Sequence, residues 1–294
     1  VLPRAESATY GLSKKQQDVR TIREYLRHNG VSEALTYTLI SRKELAKFAY
    51  LDEGEAYVLA NPMSVDREAV RKNLLHSLLL SASYNYARQI RSGALFEVSD
   101  VDSKSVSSTH LAIVLFGDNP RLDGLKGRPY DFYEAKGLCD GIFSILGISN
   151  NRYGYFPWGK GGEEMHPYQS AEIRIGKTLV GYLGALHPNA LKEYDLKSAI
   201  VVELDLGAIL DVKVGSAKAV IPPKYPSVSR DIALIVPENT VYEDLRRGLL
   251  RADRLLVKAD VFDIYKGPGV EEGYVSMALS LTFQSDEKTL GEGD

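Results

Sequence analysis

Toward the C-terminus the hydrophobic pattern changes period in a fixed order, and that order leaves few folds open. In Tyr225-Pro-Ser-Val-Ser-Arg-Asp-Ile-Ala-Leu-Ile-Val236, residues Ile232, Leu234 and Val236 alternate with Asp231, Ala233 and Ile235, the period of a half-buried strand. The stretch 241–253 has the spacing of a short helix. A second strand follows in Ala259-Asp-Val-Phe-Asp-Ile-Tyr265, where Val261, Asp263 and Tyr265 share one face and Phe262 and Ile264 the other. Burying the Phe/Ile row would present Asp263 and Tyr265 together, and an acid beside an aromatic ring can read a nucleic-acid base. After the turn Gly267-Pro-Gly-Val-Glu-Glu-Gly273, a third alternating run covers 274–283. Strand, helix, strand, strand is the first part of a ferredoxin-like split βαβ unit. The sequence ends at Asp294, before the second helix and last strand of a complete βαββαβ unit, so that unit is expected to be incomplete.

The earlier part of the chain interleaves helices with hairpin-linked strands, the pattern of an α+β fold with a mostly antiparallel sheet. Ser13 is an N-cap for a helix over 14–29, closed by Gly30. A helix is expected near Ser41, a strand at Tyr57-Val-Leu59, and one long, largely buried helix over 70–91. Its apolar residues on several sides must be buried somewhere, either against another subunit or equally inside its own domain. Strands are expected at 94–98 and 110–117, separated by a polar, Ser-rich loop over 99–108. Asp131 begins a helix stopped by Gly147, and the Gly-, Asn- and aromatic-rich stretch 150–162 reads as loop. Three further strands, 171–175, 178–186 and 199–205, follow. We therefore divide the chain into 1–213, a linker over 214–223 ending in Pro222-Pro223, and 224–294.

With 294 residues, two domains fit comfortably, and burial of roughly 75% of the unfolded surface is expected. No run has membrane-spanning length and no leader pattern is present, so the reading is cytoplasmic, with no membrane contact. A net charge of -3 gives no global attraction to nucleic acid, so any RNA contact must be local, and DNA is not an expected partner. The single cysteine, Cys139, excludes an intrachain disulfide and sits among Leu138, Ile142 and Phe143 as a core thiol. Gly159-Lys-Gly-Gly-Glu163 lacks the spacing of a phosphate loop, and His166 and His187, each before proline, have no signposted third metal ligand. No catalytic constellation and no metal site is expected.

The run from Tyr225, with Val261-Phe-Asp-Ile-Tyr-Lys-Gly267 and Ser276-Met-Ala-Leu-Ser-Leu-Thr-Phe-Gln284, resembles the ferredoxin-fold anticodon-binding domain of bacterial phenylalanyl-tRNA synthetase β subunits. The preceding part resembles the catalytic-like module of the same subunits. The matching phrases are Glu33-Ala-Leu-Thr-Tyr-Thr-Leu39, Asn61-Pro-Met-Ser64, Leu95-Phe-Glu-Val98, Asp131-Phe-Tyr-Glu-Ala-Lys-Gly137, Ser170-Ala-Glu-Ile173 and Gly181-Tyr-Leu-Gly-Ala-Leu-His-Pro188, in collinear order. The resemblance implies a class II synthetase-like, mainly antiparallel sheet with flanking helices in 1–213. That module would be non-catalytic, since the arginine-bearing third motif of active class II enzymes has no counterpart near 199–210. It also implies a catalytic α subunit as partner in an (αβ)₂ assembly that charges tRNA with phenylalanine. ATP and magnesium would be used by the whole synthetase, with no cofactor bound by this chain.

In the family, the positions matching Ala233, Asp263, Tyr265 and Ser276 lie at the surface that meets the anticodon of the phenylalanine tRNA, and Arg230 and Lys266 are candidate supporting contacts. From 222 to 294 there are nine Lys/Arg against thirteen Asp/Glu, a net -4, so strong phosphate-driven binding is not expected of this region alone. The chain departs from the family pattern at His166-Pro-Tyr-Gln169, where His-Pro-Gly-Arg is usual. The editing, winged and magnesium-binding modules that precede this region in the family are not in the sequence, so no hydrolytic proofreading is expected of it. Two other functions fit the residues: an adenylating module in its own right, which pyrophosphate exchange without α would reveal, and a small-molecule-sensing ferredoxin-like module, which stabilisation by phenylalanine would reveal.

Overall fold

The computed structural model describes residues 10–52, 54–120, 127–215 and 222–291. Two compact units divide the chain, Val1–Gly215 and Ser216–Asp294. Of the linker expected over 214–223, residues 216–221 lie outside the described residues.

In the first unit the elements run α1 (Lys14–His28), β1 (Ser32–Glu33), β2 (Leu39–Ile40), β3 (Ala69–Val70), α2 (Leu75–Ala87), β4 (Gly93–Asp102), β5 (Ser107–Phe116), β6 (Asp118–Asn119) and β7 (Arg128–Pro129). They continue with α3 (Phe132–Ile145), β8 (Tyr153–Pro157), β9 (Met165–Ile175), β10 (Thr178–Leu186), α4 (Pro188–Glu193), β11 (Ala199–Asp205) and α5 (Leu206–Leu210). A seven-stranded sheet has the order β1-β4-β5-β11-β10-β9-β8, antiparallel except where β1 meets β4. Its central strands alternate apolar side chains to both faces. Phe96, Leu111, Ile113 and Val202 meet Ile22 and Leu26 of α1, Cys139 and Phe143 of α3 and Ile209 of α5. On the other face, Ala112, Val114, Phe116 and Val201 meet Leu75, Leu78 and Leu79 of α2 and Ala190 of α4. Helices on both faces explain why β5 and β11 read as near-continuous apolar runs.

The helix ends follow the sequence. Ser13 with Gln16, and Asp131 with Glu134, form reciprocal capping boxes, and Gly30 and Gly147 close α1 and α3 with φ of 78° and 75°. Elsewhere the structure corrects the expectation. Residues 99–108 are mostly strand, because β4 and β5 stay paired out to Asp102 opposite Ser107, and the hairpin end is held by the Ala56–Ser103 bridge, with Ser103 buried. Residues 153–157 are strand rather than loop, because Tyr153 packs its ring 4.4 Å from that of Phe143 and pulls the segment onto the sheet edge. The helix expected over 70–91 starts only at Leu75, since Ala69–Val70 is committed to pairing with β2. Near Ser41 there is one 3₁₀ turn, Arg42–Glu44, and at 57–59 a single isolated bridge, Val58 to Ala69.

In the second unit, β12 (Val228–Pro237), α6 (Tyr242–Ala252), β13 (Leu256–Tyr265) and β14 (Tyr274–Phe283) form an antiparallel sheet of order β12-β14-β13 with α6 on one face. Tyr242, Leu245 and Leu249 of α6 pack on Ile232, Leu234, Met277 and Leu279. This matches the element order read from the sequence, as does the α+β, synthetase-like reading of the first unit.

Candidate nucleic-acid interface and partner groove

The sheet face that α6 leaves open is built from alternate residues of three strands. Pairing sets Ala233 opposite Ala278, and Ala278 opposite Asp263; one pleat further on, Ser276 lies between Ile235 and Tyr265. Ala233, Asp263, Tyr265 and Ser276 thus occupy two adjacent rows of one face. The small side chains at 233, 276 and 278 keep the middle of that face flat, with the carboxylate and the phenol ring side by side on β13. The Tyr265 hydroxyl donates to the carbonyl of Pro268 at 3.3 Å, and the ring leans on Gly267, where a Cβ would come within 2.9 Å of it. The 267–269 turn therefore holds one side of the ring in place.

The pairing of β13 is not regular. Val261 sits opposite Leu279 but Asp263 opposite Ala278, so Phe262 is an extra residue, a β-bulge. Val261 consequently packs into the core, and Phe262 and Ile264 are 60% and 57% exposed, contrary to the expected burial of the Phe/Ile row. Asp263 and Tyr265 still point the same way. Arg230 is paired opposite Leu281, on the α6 side, and is not brought together with the four. Lys266 lies beyond Tyr265 and is held by both carboxylate oxygens of Glu238 at 2.7 Å.

In the first unit, several charged side chains that the sequence did not single out are buried. One cross-strand row beneath α2 reads Glu97, Ala112, Glu203, Tyr182 and Glu172. Arg71 donates to Glu97 at 2.8 Å and to the Thr36 hydroxyl at 2.6 Å, and that hydroxyl donates to the second Glu97 oxygen at 2.6 Å. Glu203 accepts the Leu74 amide at 3.0 and 3.3 Å and lies 2.9 Å from His110 Nδ1. Leu74 precedes the first turn of α2 and offers no side-chain cap, so a strand far away in sequence supplies the carboxylate that a helix N-terminus favours. Both pairs fix where α2 begins.

The outer side of α2 lines a groove of about 660 Å³, where His76, Leu80 and Tyr84 meet Leu35, Tyr37 and Ile40 together with the charged Lys43, Glu44, Asp66 and Arg67. Leu80 and Tyr84 are 51% and 59% exposed, so the expected burial of this helix holds for only one side. Arg67 lies 4.2 Å over the Tyr37 ring and Arg88 3.3 Å over Tyr84. Burial depresses the imidazole of His76, one of the groove residues, below its ordinary value. The unfolded chain then takes up the proton first, so the stability gained from neutral His76 is complete above about pH 6.5 and is lost as pH falls below it. Thermal unfolding should show a falling midpoint from about pH 6.5 to 5.5, with a shallower fall in His76→Gln. Equal slopes in both proteins would refute the assignment.

Among the described residues no group of three or more His, Cys, Asp or Glu is placed to hold a metal, and no helix is long and apolar enough to cross a membrane. Residues 1–206 match the family described as phenylalanyl tRNA synthetase beta chain CLM domain, and 223–294 match the ferredoxin-fold anticodon binding domain. The chain belongs to the phenylalanyl-tRNA synthetase β-chain family. It is 37% identical over 302 residues to the phenylalanine–tRNA ligase beta subunit of Geobacillus kaustophilus, covering 98% of this chain and 36% of that subunit. The corresponding subunit of Bacillus subtilis is 36% identical over 299 residues, covering 99% and 37%. The chain thus spans just over a third of the length of these curated relatives. Among solved structures, a pyrrolysyl tRNA synthetase of Desulfitobacterium hafniense aligns with a TM-score of 0.50 at 13% identity, over 66% of each chain, a likeness of fold alone. The synthetase β-chain family accounts for both units in the order in which they occur.

Proposed function

We propose that this chain is the anticodon-reading and scaffolding part of a phenylalanine–tRNA ligase β subunit. The non-catalytic synthetase-like module would be 1–213, followed by a linker over 214–223 and the anticodon-binding domain over 224–294. The observation that carries the reading is the placement of Ala233, Asp263, Tyr265 and Ser276 in two adjacent rows of the open sheet face. A base lying flat over Ala233 and Ala278 meets the Tyr265 ring as a stacking partner and the Asp263 carboxylate as an acceptor for an amino or imino edge, the chemistry of guanine. Lys266 stands at the rim. The charging reaction, with its ATP and magnesium, belongs to a catalytic α subunit in an (αβ)₂ assembly in the cytoplasm. We assign the α2 groove as the seat of that partner, because an exposed apolar stripe beside a buried one on the same helix is what a docking helix leaves uncovered in the free chain.

The test is titration of a fluorescent phenylalanine-tRNA anticodon stem-loop with this chain at low and moderate salt. Tyr265→Ala and Asp263→Ala should each weaken binding about tenfold, the worth of one stacked base or one charge-assisted hydrogen bond. The net acidic domain should make the parent affinity weak and only mildly salt-dependent. Undiminished binding by both variants would place the RNA elsewhere.

A further inference from the structure

The open face of the second unit's sheet carries a large aliphatic side chain where its surroundings are small or polar. Ile235 is 64% exposed, and the positions around it on β12 and β14 are Asp231, Ala233, Ser276, Ala278 and Ser280. Its direct cross-strand neighbour, Ser276, is too short to cover it, and beyond Ser276 in the same row stands Tyr265. Adjacent strands lie about 4.8 Å apart, so the Ile235 and Tyr265 backbones are separated by about 9.5 Å. An aromatic plane in contact on both sides takes up about 7–8 Å. There is room for one base between the two side chains, over the Ser276 hydroxyl. One pleat further along β14 the floor ends at Tyr274, opposite Pro237, whereas in the other direction it stays low over Ala278 and runs to Asp263. The slot is thus closed at one end and open toward a carboxylate.

We propose that Ile235 is a further binding residue of the anticodon surface, an aliphatic jaw that closes on the base stacked against Tyr265. The inference rests on the reading of that face as the anticodon-binding surface and adds a residue which that reading leaves out. An aliphatic jaw has no hydrogen bond to give, so it recognises the flat face of a base and not its edge. Held in that plane, the base reaches over Ala278 and presents its edge to Asp263. Ile235 and Tyr265 supply affinity by covering the two faces, and the carboxylate at the open end supplies the choice of base.

The experiment titrates two fluorescent stem-loops with this chain and its variants: the phenylalanine-tRNA anticodon stem-loop, and the same RNA with an abasic site in place of the anticodon guanine. Thermal unfolding of each variant is the folding control, and the melt should barely move, because Ile235 is exposed in the free chain. Ile235→Ala should bind the intact stem-loop about five- to twentyfold more weakly, the worth of the apolar surface that the base no longer covers. Ile235→Val, which keeps a branched aliphatic side chain, should stay within about threefold of the parent. On the abasic stem-loop Ile235→Ala and the parent should bind alike, since the base between the jaws is gone. Tyr265→Ala serves as the reference. If Tyr265→Ala weakens binding while Ile235→Ala binds as the parent does, or loses as much on the abasic RNA as on the intact one, the role of Ile235 is overturned and the face remains the anticodon surface. If neither variant changes binding, the RNA lies elsewhere and both readings fall.

Discussion

Glu97→Ala should destabilise the first unit by about 3–5 kcal/mol, the cost of stranding a buried guanidinium. Arg71 is 1% exposed, and it reaches the sheet through Glu97 and through Thr36, which itself depends on Glu97 for an acceptor. Removing the carboxylate takes away the one charged partner of Arg71 among the described residues and leaves the Thr36 hydroxyl without its acceptor. In a unit of this size the loss corresponds to a fall in midpoint of roughly 6–20 °C. The double variant Glu97→Leu with Arg71→Met should recover most of that stability, because exchanging a whole buried pair for apolar residues is close to neutral. Circular dichroism melts of the three proteins decide the point. A single variant no worse than the double one would mean that water reaches Arg71 and that the pair is not structural.

Assembly should respond most strongly to Leu80→Asp. Leu80 is half exposed, so the substitution costs the free chain little, and the melt should move by no more than about 1 kcal/mol. In a closed interface the same carboxylate would be stripped of water beside Tyr84 and Leu35, with a penalty of several kcal/mol. Co-purification with the catalytic α subunit should therefore fall by more than about a hundredfold in affinity, while stem-loop binding by the second unit stays as it was. The unchanged melt is what distinguishes a docking defect from a folding defect of the first unit.

The element order of the second unit was legible because its signals are local. Period-two runs and a glycine turn placed β12, β13 and β14, and the open face followed from which residues alternate with the apolar ones. The bulge at Phe262 left no such mark, since a single extra residue in an otherwise alternating run looks like more of the same strand. In the first unit, capping residues Ser13 and Asp131 gave the starts of α1 and α3. β8 was missed because its Gly and Pro residues outweigh two tyrosines whose burial depends on α3. The anchors of α2 were invisible for a different reason. Arg71 and Glu97 stand in separate elements, and Glu203 caps an amide from the far side of the sheet. A sequence presents such groups as solvated charges until the sheet brings them into one row.

The bulge on β13 also sets how this surface can change over generations. Removing Phe262 would leave Val261 opposite Leu279 and Asp263 opposite Ala278 with no gap, so the strand could lose that one residue and keep its open face. Removing Ile264 instead would shift Tyr265 by one position and turn its ring toward the helix-covered side. Length variation in related chains should therefore collect at position 262, and the two residues after it should tolerate neither insertion nor deletion.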